Sequence, residues 1–244
     1  MQIALLGYGK MGKVIEKIAV SRGHIIVFKK TSENSFDGLQ KADVAIDFSK
    51  PDVAVCNISE CLQTNIPIVC GTTGWLDKFE EMKNLCNEKN GSFIYASNFS
   101  LGVNIFFELN NYLSKIMSKF KDYKVSIEEI HHTQKLDAPS GTAISLANGI
   151  MENSDFTNWT LENPKENELP IIAIREENVP GTHSIFYNSD VDFIEIKHEA
   201  KSREGFALGA VIAAEYIYNK KGVFTMKDVL ALNSQKGNYQ HINK

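Results

Sequence analysis

The densest collection of chemically capable residues is the run Glu128-Glu129-Ile130-His131-His132-Thr133-Gln134-Lys135-Leu136-Asp137-Ala138-Pro139-Ser140-Gly141-Thr142-Ala143. Two histidines and a lysine close a strand pattern, and Pro-Ser-Gly-Thr then opens a helix pattern whose core face would hold Ala143, Ala147 and Ile150. Neighbouring side chains of an extended chain point to opposite sides, so His131 and His132 read as having separate roles rather than as ligands of one metal. The amides and hydroxyls of Ser140, Gly141 and Thr142 fall where a helix N-terminus offers unpaired N–H groups and a positive dipole end, a seat for a carboxylate. Lys135 adds a fixed positive charge or a proton. Either histidine alone reads as readily structural; beside an anion seat, the cluster points to proton chemistry on an anionic substrate.

A second candidate site lies at the start of the chain. Gly7-Tyr8-Gly9-Lys10-Met11-Gly12 follows an apolar strand and opens a helical stretch with Val14, Ile15, Ile18 and Ala19. Glycines at this spacing allow a tight turn, close approach of backbone to a pyrophosphate and tight helix–strand packing. An incidental glycine turn would have the same spelling, and the strand–turn–helix context favours dinucleotide binding. The acid expected at the end of the second strand, which would bind the ribose diol, is absent; Lys29-Lys30 stands there. Lysine can approach a 2′-phosphate, which admits NADPH beside NADH, while a solvated strand end is the plain alternative. Gly71-Thr72-Thr73-Gly74 and Ser97-Asn98-Phe99-Ser100 follow later strands and could line a nicotinamide or serve as ordinary turns.

These residues need a scaffold, and its pattern is legible. Met1–Leu6, His24–Lys29, Val44–Phe48, Ile66–Cys70 and Phe93–Ala96 are short and nearly all apolar, as parallel strands buried on both faces are. Helical patterns lie between them, including one opened by a capping Ser49 and an early Pro51, and another over Asp77–Asn87. The expected fold is α/β: a doubly wound, Rossmann-like parallel sheet that binds its ligand beyond the carboxyl ends of the strands. From Asn98 the pattern changes. A long helix over Asn104–Met117 precedes Tyr123–His131, Ile171–Glu176, Thr182–Asn188 and Asp192–His198, which alternate apolar and polar residues as in a mixed sheet with one wet face. Asn153–Glu168 reads as a surface loop with a short helix, and Phe206–Asn219 and the capping-box sequence from Thr225 as closing helices.

Composition bounds the partners. The chain has 244 residues, 43% of them hydrophobic, and a formal charge of −4 from 26 basic and 30 acidic side chains without a dense basic stripe. That balance gives no support to nucleic-acid or membrane binding. The N-terminal segment lacks a basic flank, and no apolar run reaches the ~20 residues of a membrane span. Cys56, Cys61, Cys70 and Cys86 lack Cys-x-x-Cys pairing and read as reduced core thiols rather than a zinc site, so a cytoplasmic protein is expected.

Taken together, the glycine-rich turn with Lys10-Met11-Gly12, Asp47-Phe48-Ser49-Lys50-Pro51, Gly71-Thr72-Thr73-Gly74, Ser97 through Asn104 and, above all, the His131–Ala143 motif resemble the dihydrodipicolinate reductase family of lysine and diaminopimelate synthesis. Gly181-Thr182-His183 and Phe206-Ala207-Leu208-Gly209-Ala210 also look similar, so the resemblance covers almost the whole chain. It implies a dinucleotide-binding domain from residues 1–99 and 207–244, a substrate-binding and oligomerisation domain over 100–206, and a homotetramer. It implies NAD(P)H-dependent reduction of 4-hydroxy-tetrahydrodipicolinate, a small cyclic dicarboxylate, to tetrahydrodipicolinate. It further implies His131 as general acid/base, Lys135 as proton donor, His132 as a substrate contact, and Gly141 with Thr142 as carboxylate binders. Gly7, Gly9, Lys10, Met11, Gly12, Gly71 to Thr73 and Ala96 to Phe99 would hold the cofactor. The glycine turn is one residue shorter than the form common in the family, and the usual acid beside Lys29-Lys30 is missing; both departures bear on cofactor preference. A different dehydrogenase, or an NAD(P)-sensing protein, would not require the His-His/Lys/Ser-Gly-Thr cluster.

Overall fold

The structure, a computed structural model, describes residues 1–232; the end of the expected C-terminal segment, 233–244, lies outside them. The chain divides into two compact units, one formed by Met1–Leu101 with the chain from Phe206 onward and the other by Gly102–Gly205.

The first unit is a six-stranded parallel sheet in the order β11-β5-β4-β3-β1-β2. Its strands are β1 (Gln2–Leu6), β2 (Ile25–Lys30), β3 (Val44–Asp47), β4 (Ile68–Cys70), β5 (Ser92–Tyr95) and β11 (Gly222–Phe224). The last was not evident in the sequence. Helices cover both faces, which is why the central strands are apolar on both sides. On one face α1 (Lys10–Ser21) and α6 (Glu204–Ile217) enclose Ile3, Leu5, Ile46, Val69 and Ile94. On the other, α2 (Pro51–Gln63) and α3 (Phe79–Glu88) enclose Ala4, Leu6, Ala45, Ile68 and Phe93. Gly209 lets α6 press against the segment that follows β5, because a Cβ there would lie 1.7 Å from the Phe99 carbonyl oxygen. A short α7 (Met226–Val229) carries the capping box of Thr225 and Asp228 read from sequence.

In this sheet the pairings Leu6↔Lys30, Leu6↔Asp47, Asp47↔Cys70 and Cys70↔Tyr95 align the carboxyl ends of five strands. The loops that begin at Gly7, Phe48, Gly71 and Ala96 therefore share one edge. Because β2 flanks β1 on one side and β3 on the other, strand order reverses beside β1, where an open α/β sheet forms its ligand crevice.

The second unit is a mixed sheet in the order β10-β9-β6-β8-β7, formed by β6 (Lys124–His131), β7 (Asn158–Thr160), β8 (Glu168–Arg175), β9 (Thr182–Asn188) and β10 (Phe193–Glu199). Strand β6 pairs parallel with β8 and antiparallel with β9. Two helices, α4 (Leu101–Met117) and α5 (Gly141–Met151), belong to the core of Phe106, Ile127, Ala143, Leu146, Ala147, Ile150, Ile171 and Ile185. Asn110 joins them by donating to the Leu146 carbonyl at 2.9 Å.

Three expectations need correction. The 153–168 segment contains strand β7 rather than a short helix: Trp159 alternates with polar neighbours and packs on the core, while β7 pairs parallel with β8. Ser49 does not cap α2; Lys50 occupies that position, and the Ser49 amide instead donates to Thr72 Oγ1 at 2.8 Å. Cys56 is exposed on α2, whereas Cys61, Cys70 and Cys86 are buried as expected.

Candidate active site

The glycine-rich turn of the first unit has the backbone that its sequence requires. Gly7 adopts φ +89°, and a Cβ there would lie 2.4 Å from the Phe48 carbonyl oxygen. A Cβ on Gly12 would meet the Gly7 carbonyl at the same distance, whereas the space beside Gly9 is open. Beyond the turn, Gly9, Lys10, Met11, Phe48, Ser49, Pro51, Gly71, Thr72 and Thr73 line a cleft of about 390 Å³. The N-terminus of α1 points its unpaired amides there, with no side-chain cap at Gly9. An open cradle of glycines at a helix N-terminus fits a dinucleotide pyrophosphate.

Beneath the cleft lies Asp47, fully buried at the end of β3. It accepts from Thr72 Oγ1 at 2.6 Å, Asn57 Nδ2 at 2.8 Å and the Cys70 thiol at 3.4 Å. Burial pushes this carboxyl above its ordinary value despite those neutral donors.

The other predicted nucleotide contacts differ in availability. Lys29 is ion-paired with Glu16 at 2.7 Å and lies over the Tyr8 ring, and the Tyr8 hydroxyl also donates to Glu16. Lys30 donates to the Thr31 carbonyl at 2.9 Å and to that of Asn34. Ala96 follows β5 and donates its amide to the Cys70 carbonyl, Ser97 is exposed, and Asn98 accepts from the Ser100 amide. The Phe99 ring is buried in the core, so only its backbone could border a ligand.

In the second unit, alternation along β6 places Val125, Ile127, Glu129 and His131 on the core face. Register sets Glu129 opposite His183 on β9 and His131 opposite Arg175 on β8. Three strands thus bring ionisable side chains together in the interior. Glu129 is fully buried. Its Oε1 lies 3.3 Å from Arg175 Nη2, and its Oε2 accepts the Ser140 amide at 3.0 Å. His131 Nδ1 and His183 Nε2 approach the same Oε2 at 3.5 and 3.7 Å. The Ser140 hydroxyl caps α5 by accepting from the Ala143 amide and lies 3.0 Å from His183 Nε2.

Electrostatics separates these groups. Burial pushes the Glu129 carboxyl up, but His183, the Ser140 donors and the field of His131 outweigh it and hold the group at about 2. Burial pushes the His131 ring down, His183, Lys135 and Arg175 act in the same sense, and Glu129 offsets them only in part, leaving it at about 4. Glu129, His131 and His183 offer ligand atoms within 4.8 Å of one another, a donor set that a divalent metal could use. Ser140 already engages two of these atoms and Arg175 adds positive charge, so the cluster reads as a hydrogen-bonded network.

The remaining predicted residues surround it. Lys135 is ion-paired with Asp137 at 2.7 and 2.8 Å rather than standing free, and its carbonyl accepts from Arg175 Nε. Gly141 is exposed with open space where a Cβ would be, and Thr142 is partly exposed on the same first turn of α5. His132 turns away from His131 and lines a separate cleft of about 540 Å³ with Gln134, Asn178, Ser202 and Arg203. Sequence reasoning did not assign roles to Glu129, His183 or Arg175. The available signal was acidic Glu129 on the apolar face of an alternating strand.

Comparisons agree with the geometry. Residues 1–99 match the dihydrodipicolinate reductase N-terminus and residues 102–230 match its C-terminus. A curated protein of Christiangramia forsetii, named 4-hydroxy-tetrahydrodipicolinate reductase, is 57% identical over 95% of this chain and 98% of its own. A protein of that name from Thermosipho africanus is 37% identical over 94% and 98%. Among solved structures, dipicolinate-bound dihydrodipicolinate reductase from Paenisporosarcina sp. TG-14 shares the fold with a TM-score of 0.74, 24% identity and coverage of 92% of this chain and 97% of its own. These matches establish that the chain belongs to the dihydrodipicolinate reductase family.

Proposed function

We propose that His131 and Lys135 handle protons in the reaction of this family, the NAD(P)H-dependent reduction of 4-hydroxy-tetrahydrodipicolinate to tetrahydrodipicolinate in diaminopimelate and lysine synthesis. The supporting observation is the Glu129–Ser140 contact, which ties the strand end carrying His131 to the helix end carrying Gly141 and Thr142. A titratable ring and an anion seat therefore form one network.

A dinucleotide held by its pyrophosphate at the glycine-rich cleft would supply hydride to the ring system of the substrate. The net change replaces the ring hydroxyl with hydride, and that hydroxyl leaves as water with uptake of one proton. A histidine held at about 4 is protonated in roughly one molecule per thousand at pH 7. It therefore rests as a neutral ring that can accept or relay a proton, and Lys135 is read as the proton donor. An anionic dicarboxylate beside His131 would draw its proton affinity upward. Gly141 and Thr142 present amides, and Thr142 its hydroxyl, from the first turn of α5 to one substrate carboxylate, while a substrate contact by His132 requires the substrate to extend toward the cleft that this side chain lines.

Gly7, Gly9 to Gly12, Gly71 to Thr73 and the backbone from Ala96 to Phe99 are read as the nucleotide contacts. The Lys29–Glu16 pair leaves the lysine less free for a 2′-phosphate, which favours use of both NADH and NADPH. The first unit is thus the cofactor domain and the second the substrate domain. A homotetramer is supported by the open face of the second sheet, where Ile172, Ile174 and Phe193 are exposed. No helix among the described residues is long and apolar enough to cross a membrane, and the free cysteines suit a reducing cytoplasm.

Oxidation of NADPH and of NADH, followed with the condensation product of pyruvate and aspartate semialdehyde as substrate, tests this reading. Turnover with at least one cofactor is expected, and turnover with neither would overturn it. Light scattering of the eluted enzyme tests the tetramer, which a monomeric mass would exclude.

A further inference from the structure

We propose that Glu129 is the positioning residue of this site: one buried carboxylate between His131 and His183 orients the acid/base ring and anchors the end of α5 that seats the substrate carboxylate. This rests on the reading of His131 and α5 given above.

The first argument is placement. A carboxylate on the core face of β6, with no exposed surface, is costly unless every oxygen is engaged. Arg175 takes Oε1, which leaves Oε2 to the Ser140 amide and to the facing edges of two imidazoles. The second argument is the ring itself. His131 Nδ1 is buried without a hydrogen-bond partner and lies 3.5 Å from Glu129 Oε2, so a small closure completes an N–H to carboxylate bond. The opposite edge faces Gly181, where a Cβ would come within 3.0 Å of Nε2; the missing side chain keeps that nitrogen clear. A carboxylate at Nδ1 favours the tautomer with its proton there and frees the Nε2 lone pair.

The third argument is linkage. The Ser140 amide donates to Glu129, and the Ser140 hydroxyl contacts both the Ala143 amide and His183. Displacement of Glu129 would disturb the ring and the anion seat together. The charged and titratable groups facing His131 are Glu129 on its own strand, Lys135 just beyond it, Arg175 on β8 and His183 on β9. Of these, only Glu129 favours the protonated ring.

The test compares Glu129→Gln with the wild-type enzyme. We expect kcat to fall about 10- to 100-fold, as when a group that orients another is lost. The pH-profile limb due to His131 should move to lower pH, inhibition by dipicolinate should weaken, and the Kd for NADPH should be unchanged. Wild-type kcat, pH profile and dipicolinate affinity would overturn the proposal. His131→Asn, assayed alongside, separates the two readings. Normal turnover there removes the acid/base role and the proposal with it, whereas an inactive His131→Asn beside a wild-type-like Glu129→Gln overturns the proposal alone. Should Glu129→Gln fail to fold, the tautomer of His131 in the intact enzyme decides by ¹⁵N chemical shift. A proton on Nδ1 is expected, and a proton on Nε2 would overturn the proposal.

Discussion

Among the described residues each unit buries one carboxylate completely, Asp47 at the end of β3 and Glu129 two residues before the end of β6, and the two behave in opposite ways. Asp47 is surrounded by neutral donors, a hydroxyl, an amide and a thiol, and burial drives its pKa up. Glu129 has a guanidinium, two imidazoles and a backbone amide for neighbours, and its pKa falls to about 2. Both side chains are shut off from solvent, but Asp47 lies deeper, so burial dominates there, whereas the hydrogen bonds from His183 and Ser140 and the field of His131 outweigh burial at Glu129. The difference matches the work of each region. A neutral network can hold the Gly71–Thr73 loop in shape, whereas a permanent anion can orient and stabilise rings that change protonation.

The largest test of this contrast is at the titrating groups. His131→Ala and Lys135→Ala should each lower kcat by roughly 10²- to 10⁴-fold, the range for a well-placed proton carrier. Dinucleotide affinity should barely move, and steady-state turnover near wild type in both variants would remove these residues from the mechanism. Next comes stability. Taking the charge from Glu129 leaves Arg175 without its buried anion, so Glu129→Gln should lose on the order of 3–5 kcal/mol at pH 7, read by denaturant unfolding.

The sign of the pH dependence follows from the shifts. Glu129 lies below its ordinary 4.5, so its contribution is full above that pH and disappears as pH falls through about 2. His131 lies below 6.5, so stability also declines as pH drops from about 6.5 to about 4, where the unfolded chain binds the extra proton. Asp47, shifted upward, contributes in its protonated form and loses that contribution as pH rises through its folded value. Unfolding curves from pH 7 to pH 3 for wild type and both carboxylate variants would show whether Glu129 and Asp47 differ in sign.

Smaller effects belong to the edges of the two networks. Thr142→Ala should raise the substrate KM by up to about tenfold, the worth of one or two hydrogen bonds, with kcat nearly kept. A collapsed kcat at unchanged KM would contradict the carboxylate seat. Asp47→Asn should be milder still: melting at pH 7 unchanged or raised, and a modest rise in the cofactor KM as Thr72 loosens. A severe loss of stability would show that Asp47 is needed as an anion.

Much of this arrangement was legible in residue patterns because local rules governed it. Continuous apolar strands, a glycine turn after the first of them, and Ser-Gly-Thr at a helix start each express a backbone requirement within a few residues. Glu129 was hidden for the opposite reason. Its partners Ser140, Arg175 and His183 are brought to it by α5, β8 and β9, so the network exists only after strand register is set. The same limit explains β11, a three-residue edge strand defined by its pairing with β5, and β7, whose identity depends on β8. The Lys29–Glu16 pair across β2 and α1 was likewise invisible in a reading of strand ends alone.

The central claim is that a buried anion keeps His131 oriented while its surroundings keep it neutral at rest. Direct titration of its ring by ¹H–¹⁵N NMR in histidine-labelled enzyme tests this without substitution. The account predicts a ring that stays neutral until the pH approaches about 4 and rises in proton affinity when dipicolinate binds. A free-enzyme titration near 6.5, unmoved by the dicarboxylate, would contradict it.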